Sequence, residues 1–208
     1  YDLLNHGKSK SGFKELSFDL FSDQLIKLIK KLNLKKINLV GFSIGALIAQ
    51  HFTSIYYNKI NKLVLIASVY KRSKNQISKV KKRYKKAKNG ENITQDSIDR
   101  WFTKDFLKKN KNVQDFFYRL LESKNNNDFL SAYKLFVESD KYFINFKNFI
   151  MPTLIMTGEN EIGSTPKMSK DIQKEIKNSK IYIIKNAKHG ATIEKSDLVN
   201  KKLVNFLF

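Results

Sequence analysis

Four short apolar runs rich in β-branched residues punctuate the chain, at residues 37–40 (INLV), 63–67 (LVLIA), 153–157 (TLIMT) and 181–184 (IYII). Runs this short with no charged position inside them predict strands buried on both faces, as in a parallel sheet. Between them the period changes. Phe18, Leu20, Phe21, Leu25, Leu28, Ile29 and Leu32 fall three or four apart and lay one apolar stripe along a helix. Strands alternating with helices predict an α/β fold, a mostly parallel sheet flanked by helices and joined by right-handed crossovers.

The alternation stops over residues 69–149. A basic run, KVKKRYKKAKNGEN, is followed by aromatic-rich helical spacing in SIDRWFTKDFLKKN and VQDFFYRLLES, with no strand pattern among them. An insertion of this length exceeds the handful of residues that usually joins neighbouring elements. It predicts a helical cap over the sheet edge; the alternative is a pair of packing helices within one continuous domain. The expected division is a first core part at 1–68, the cap at 69–149 and a second core part at 150–208, closed by an amphipathic helix in SDLVNKKLVNFLF. A strand-like YDLL at the outset, on Tyr rather than Met, predicts that the chain is a fragment with something before it.

Within NLVGFSIGALIAQ a strand runs into a helix through Gly41-Phe42-Ser43-Ile44-Gly45, a turn of the form G-x-S-x-G. Such a turn holds a serine in a strained conformation at the carboxyl edge of a sheet, and small neighbours let the helix pass close to the strand. The next backbone N–H, that of Ile44, is then placed to stabilise an oxyanion at the helix N-terminus. A buried helix N-cap is the other role open to Ser43.

A serine nucleophile needs a base, and the base an orienting carboxylate. Of the three histidines, His6 lies in NHGKSK and His51 lies too far along the helix after the turn to reach back. His189 follows the run IYII in the loop KNAKHGAT, where another carboxyl-edge loop belongs. The acid is expected between serine and histidine in chain order. TLIMTGENEIGSTP offers Glu161 and Glu159, with Glu161 preferred because the nearer residue still follows the strand direction; either is also open to being a solvated loop charge.

With these residues in place the chain resembles the α/β-hydrolase superfamily over essentially its whole length. YDLLNHGKSK is similar to the family's segment after its fourth strand, NLVGFSIGALIAQ to its nucleophile elbow, PTLIMTGENEIGSTP to its acid loop and NAKHGATIEKSDLVNKKLVNFL to its histidine loop and last helix. The cap stretch RWFTKDFLKKN and the phrase GFSIGALIAQ look most like 3-oxoadipate enol-lactonases and related esterases. That resemblance implies a Ser43-His189-Glu161 triad, the Ile44 N–H as oxyanion donor, Phe42 and Trp101 beside the substrate, and neither a metal nor an organic cofactor. Packing inside the cap is the other role for Trp101. In two respects the chain departs from the pattern. Glu161 stands where the family usually has Asp. The family's first strands, with the loop that supplies a second oxyanion donor worth about 3 kcal/mol, would precede Tyr1, so the expectation leaves open that the fragment is inactive by itself.

Composition changes this picture little. Lys and Arg number 40 against 19 Asp and Glu, for a formal charge of +21. A basic surface suits polyanionic partners, yet the lysines run from end to end beside many Asn and Ile, and no nucleic-acid-binding motif accompanies them, so nucleic acid is not expected as a partner. There is no cysteine for disulfides or thiolate metal sites. No apolar run approaches the ~20 residues of a membrane span, and a cytoplasmic location is expected. The expected activity is hydrolysis of a small ester or lactone through an acyl-enzyme. Its rivals are a non-catalytic relative that binds the same kind of molecule, and a carbon–carbon bond hydrolase or thioesterase on the same core. Substrate and oligomeric state stay open.

Overall fold

The computed structural model describes residues 1–208, and its first residues contain an isolated bridge between His6 and Ser9 in place of the strand expected at YDLL. The reason is local. Asn5 (φ 61°) and Gly7 (φ 50°) turn the chain back on itself, and the Asp2 carboxylate accepts the Lys8 N–H at 2.7 Å. Backbone groups that a sheet neighbour would use are therefore satisfied within the turn.

From there the sequence pattern is followed closely. Helix α1 (Phe18–Lys31) starts where the Ser17 hydroxyl accepts the Leu20 N–H, and it buries Phe18, Phe21, Leu25 and Ile29. Strand β1 (Ile37–Phe42), helix α2 (Ile44–Tyr56) and strand β2 (Ile60–Ile66) come next. Five helices then replace any strand: α3 (Lys74–Lys88), α4 (Thr94–Trp101), α5 (Lys104–Lys109), α6 (Lys111–Glu122) and α7 (Asn126–Glu138). The chain returns through β3 (Thr153–Gly158), α8 (Pro166–Glu175), β4 (Ser179–Ile184), the short α9 (Ala191–Glu194) and α10 (Ser196–Leu207). All four strands are parallel and adjacent in the order β1-β2-β3-β4.

Alternation along the strands sorts the core into two layers. Leu63, Leu65 and Ile155 pack with Leu25 and Ile29 of α1, Phe52 of α2 and Ile172 of α8. Val64, Ile66, Leu154 and Met156 face the other way, onto Ala191 and Val199 of α9 and α10. Residues 63–65 of β2 have no exposed surface, which is why that strand reads as an unbroken apolar run rather than an alternating one. β1 lies at the sheet's edge and keeps Val40 and Phe42 exposed.

The helices between β2 and β3 carry small apolar clusters of their own, one around Ala87, Ile93, Tyr133 and Val137, another around Ile98, Phe102 and Leu107. The stretch SIDRWFTKDFLKKN divides into α4 and α5 because the Thr103 hydroxyl accepts the Phe106 N–H and starts a new helix. Arg72, just after β2, closes this insertion onto its own end. Its guanidinium donates to the Asp140 carboxylate at 2.7 Å and to the Phe136 and Val137 carbonyls at 3.0 Å, satisfying acceptors that the end of α7 leaves free. No helix is long and apolar enough to cross a membrane.

Candidate active site

At the end of β1 the backbone reverses through Ser43 at φ 56°, ψ −120°, a conformation side chains rarely adopt. The turn is anchored by the Ser43 N–H, which donates to the Ile66 carbonyl of β2 at 2.9 Å. A β-carbon on Gly41 would lie 2.4 Å from the Gly45 carbonyl oxygen and 2.7 Å from the Ala46 Cα, so only glycine lets α2 pass this close to β1. The closeness expected at both glycines holds at Gly41 alone. At Gly45 a β-carbon would meet nothing within 4 Å, because that face looks into a shallow space bordered by Tyr1, Leu3 and Phe42. Ile44 opens α2, and its N–H has no carbonyl one turn back within the helix to bond.

The loops after β3 and β4 complete the site. Beyond Gly158 the chain turns so that Glu161 is buried, with Oε1 accepting the N–H groups of Gly163 at 2.5 Å and Ser164 at 3.2 Å. Its other oxygen, Oε2, accepts from His189 Nδ1 at 2.8 Å. Since an ionised carboxylate only accepts, the proton sits on Nδ1, and His189 Nε2 is left to accept the Ser43 hydroxyl at 3.0 Å. Burial by itself would raise the Glu161 pKa. The His189 hydrogen bond and the pull of its imidazolium form, with the two backbone N–H groups, outweigh burial and hold it below the ordinary glutamate value.

Glu159 is elsewhere: it is exposed, and its carboxylate accepts the Asn186 N–H at 3.1 Å. His51 is buried in α2 and shares a hydrogen bond with Ser22 at 3.0 Å. His6 borders the same cavity as Ser43, with its Nδ1 bonded to the Leu4 carbonyl at 2.8 Å. Phe42 does not line that cavity; its ring packs on the His189 imidazole, centroids 5.1 Å apart. Trp101 does line it, and also meets Phe117 edge-on within its own layer.

What the sequence did not disclose is how firmly the helical insertion grips the histidine loop. The Gly190 N–H donates to the Trp101 carbonyl at 2.7 Å. The Phe102 ring lies so close to Gly190 that a β-carbon there would come within 2.4 Å of it. Glu194 is buried and accepts from the Thr103 N–H at 2.7 Å, from the Thr103 hydroxyl, and from the Lys188 N–H at 3.0 Å. Thus Trp101, Phe102 and Thr103 all touch the segment HGATIE. The only signal in the sequence was a Gly next to the candidate base.

Ser43, Glu161 and His189 border a cavity of about 300 Å³, roofed by Trp101 and by α7 through Phe129, Ala132 and Phe136. A larger open groove of about 1270 Å³, around Tyr70, Tyr142 and Phe146, contains none of the three. Together, a hydroxyl bonded to an imidazole, an imidazole bonded to a buried carboxylate, and a free helix N-terminal N–H beside them can carry proton transfer and nucleophilic attack at a carbonyl.

Comparison with known proteins gives a consistent result. A family model described as alpha/beta hydrolase fold matches residues 1–196. The (E)-2-((N-methylformamido)methylene)succinate hydrolase of Acinetobacter baylyi is 25% identical over 207 residues, covering 99% of this chain and 78% of that protein. Among solved structures, the enol-lactonase from Burkholderia xenovorans LB400 superposes with a TM-score of 0.87 at 19% identity, covering 100% of this chain and 79% of its own. A thermophilic esterase from Thermogutta terrifontis gives 0.84 at 20% identity, with 99% and 77% covered.

Proposed function

This chain belongs to the α/β-hydrolase fold family, and from that premise we propose that it is a serine hydrolase acting on a small ester or lactone. Ser43 is the nucleophile, His189 the base and Glu161 the acid that orients it. The helices of residues 69–149 act as a cap that closes over the substrate. One observation carries the reading: the unbroken line from Ser43 Oγ through His189 to Glu161, at 3.0 and 2.8 Å, at the floor of the roofed cavity.

In this mechanism His189 Nε2 takes the hydroxyl proton as Ser43 Oγ attacks the substrate carbonyl. The imidazolium so formed is stabilised by Glu161, and the developing oxyanion by the Ile44 N–H. Collapse of the tetrahedral species expels the alcohol, protonated by His189, and leaves an acyl-serine. Water, deprotonated by His189, then releases the acid and restores the hydroxyl. Lactones enter the same scheme with the alcohol still tethered, and a structural neighbour that is an enol-lactonase keeps them in the substrate class. A serine at the elbow argues against the aspartate-nucleophile chemistry available to this fold.

The test is covalent. A fluorophosphonate probe should label the wild-type protein once, and Ser43→Ala should abolish both labelling and turnover of short aryl esters and small lactones. Labelling that persists in Ser43→Ala would refute the assignment.

A further inference from the structure

The cavity above Ser43 is mostly apolar, lined by Leu121, Phe129, Ala132 and Phe136, yet two guanidinium groups open into it, Arg83 from α3 and Arg100 from α4. No carboxylate lies within the 4.0 Å ion-pair distance of either one. Arg72 of the same helical layer shows the contrast: its partner is Asp140 at 2.7 Å. Arg83 is held in place by neutral groups, donating to the Tyr133 hydroxyl at 3.0 Å and to the Ser97 hydroxyl at 2.5 Å, while its Nε is buried without an acceptor. Arg100 is less satisfied still. Its Nε is likewise buried and unpaired, and its Nη2 rests against the Gly163 backbone, on the loop that carries Glu161.

Both arginines are half-buried, and holding two like charges side by side there without a close counter-ion is costly. The Arg100 pKa is lowered first by burial and then by the Arg83 charge beside it, against weaker opposing pulls from Glu161, Tyr133 and Asp96. None of these acids pairs with either arginine at close range, although Glu161 Oε1 also lies beside Gly163. Glu161 is occupied by His189, Gly163 and Ser164. Asp96 and Asp99, with Lys188, border a second opening of about 310 Å³ that both arginines also line, but stay beyond ion-pair reach. The missing negative charge is therefore one that arrives with a ligand, and the planar donor fork of arginine matches a carboxylate.

We propose that Arg83 and Arg100 form a carboxylate-binding subsite, so that the ester or lactone opened by Ser43 carries a second, ionised carboxyl group. This rests on the serine-hydrolase reading for the reaction, though not for the binding. The role of the pair is specificity: it holds the distal carboxylate while the reacting carbonyl lies over Ser43.

The experiment compares two aryl esters of equal chain length, p-nitrophenyl pentanoate and the mono-p-nitrophenyl ester of glutaric acid. Wild-type protein should favour the charged ester in kcat/KM by about tenfold or more, and Arg100→Gln should cut the charged-to-neutral ratio by about ten- to a hundredfold, the span expected for loss of a charged hydrogen-bonded partner. Arg100→Lys should restore part of the ratio. Binding is read separately, in Ser43→Ala, from the fluorescence of Trp101, the single tryptophan, which borders the cavity. Glutarate should saturate that signal and glutaramide should not, with the glutarate affinity falling at least tenfold on adding Arg100→Gln. Equal handling of the two esters, or no preference for glutarate over glutaramide, overturns the subsite. Saturable glutarate binding without turnover of either ester instead overturns the serine-hydrolase reading and leaves the subsite standing. Should Arg100→Gln fail to fold, both wild-type preferences still decide, and Arg83→Gln serves as the second variant.

Discussion

Ser43 holds a positive φ of 56° although it carries a β-carbon, a conformation that costs about 1–2 kcal/mol for such a residue and nothing for glycine. Two variants that both lack the hydroxyl separate that strain from the chemistry. Ser43→Gly and Ser43→Ala should be equally inactive, yet the glycine variant should be more stable by about 1 kcal/mol in denaturant melts. The neighbouring acid gives a pH signature. Because the folded Glu161 binds its proton more weakly than the unfolded chain does, it adds stability at all pH values above the ordinary glutamate pKa of about 4.3. That contribution drains away as pH falls through the lowered folded value. Melting curves should accordingly show a large gap between wild type and Glu161→Gln near neutrality and a shrinking gap in acid. A gap that does not narrow would contradict the assigned ionisation. Sequence alone could offer both Glu159 and Glu161 at the end of a strand; the choice depends on the loop turning at Gly163 and Ser164, whose N–H groups draw one carboxylate inward.

Elements were legible wherever burial imposed its own period. The four apolar runs became four strands, and the stripe beginning at Phe18 became α1, because a strand covered on both faces and a helix covered on one leave unambiguous patterns. YDLL failed that test since its pattern was only local, and the turn at Asn5 and Gly7 overrode it. Contacts between elements were harder to foresee. Arg83 is one cation in a basic run, and its exceptional surroundings arise only once α3, α4 and α7 pack together. Gly190 and Glu194 likewise acquire meaning from residues some ninety positions earlier. Gly190→Ala should force the Phe102 ring or the histidine loop to move, costing about 1–3 kcal/mol of stability, and should lower kcat more than it changes KM. Glu194→Gln should lower kcat in the same manner, with Ser43 still labelled by the phosphonate but more slowly.

Over the whole molecule the excess of 21 positive charges stands out. Few of them are paired at close range, and apart from the buried Arg72 the lysine pairs, such as Lys167 with Asp171, lie at the surface and are worth at most ~1 kcal/mol each. Mutual repulsion of this kind is screened by salt over about 10 Å at 0.1 M. The melting temperature should therefore climb between ~10 and ~150 mM sodium chloride before levelling; a flat response would show the charges to be too dispersed to oppose folding. The helical insertion is also fastened to the core where Trp101, Thr103 and Asp99 hold Gly190, Glu194 and Lys188. Since these hydrogen bonds flank His189 on both sides, the helical insertion and the imidazole rest on one set of supports. A variant that loosens the anchorage of residues 99–103 should therefore also cost the alignment of the base.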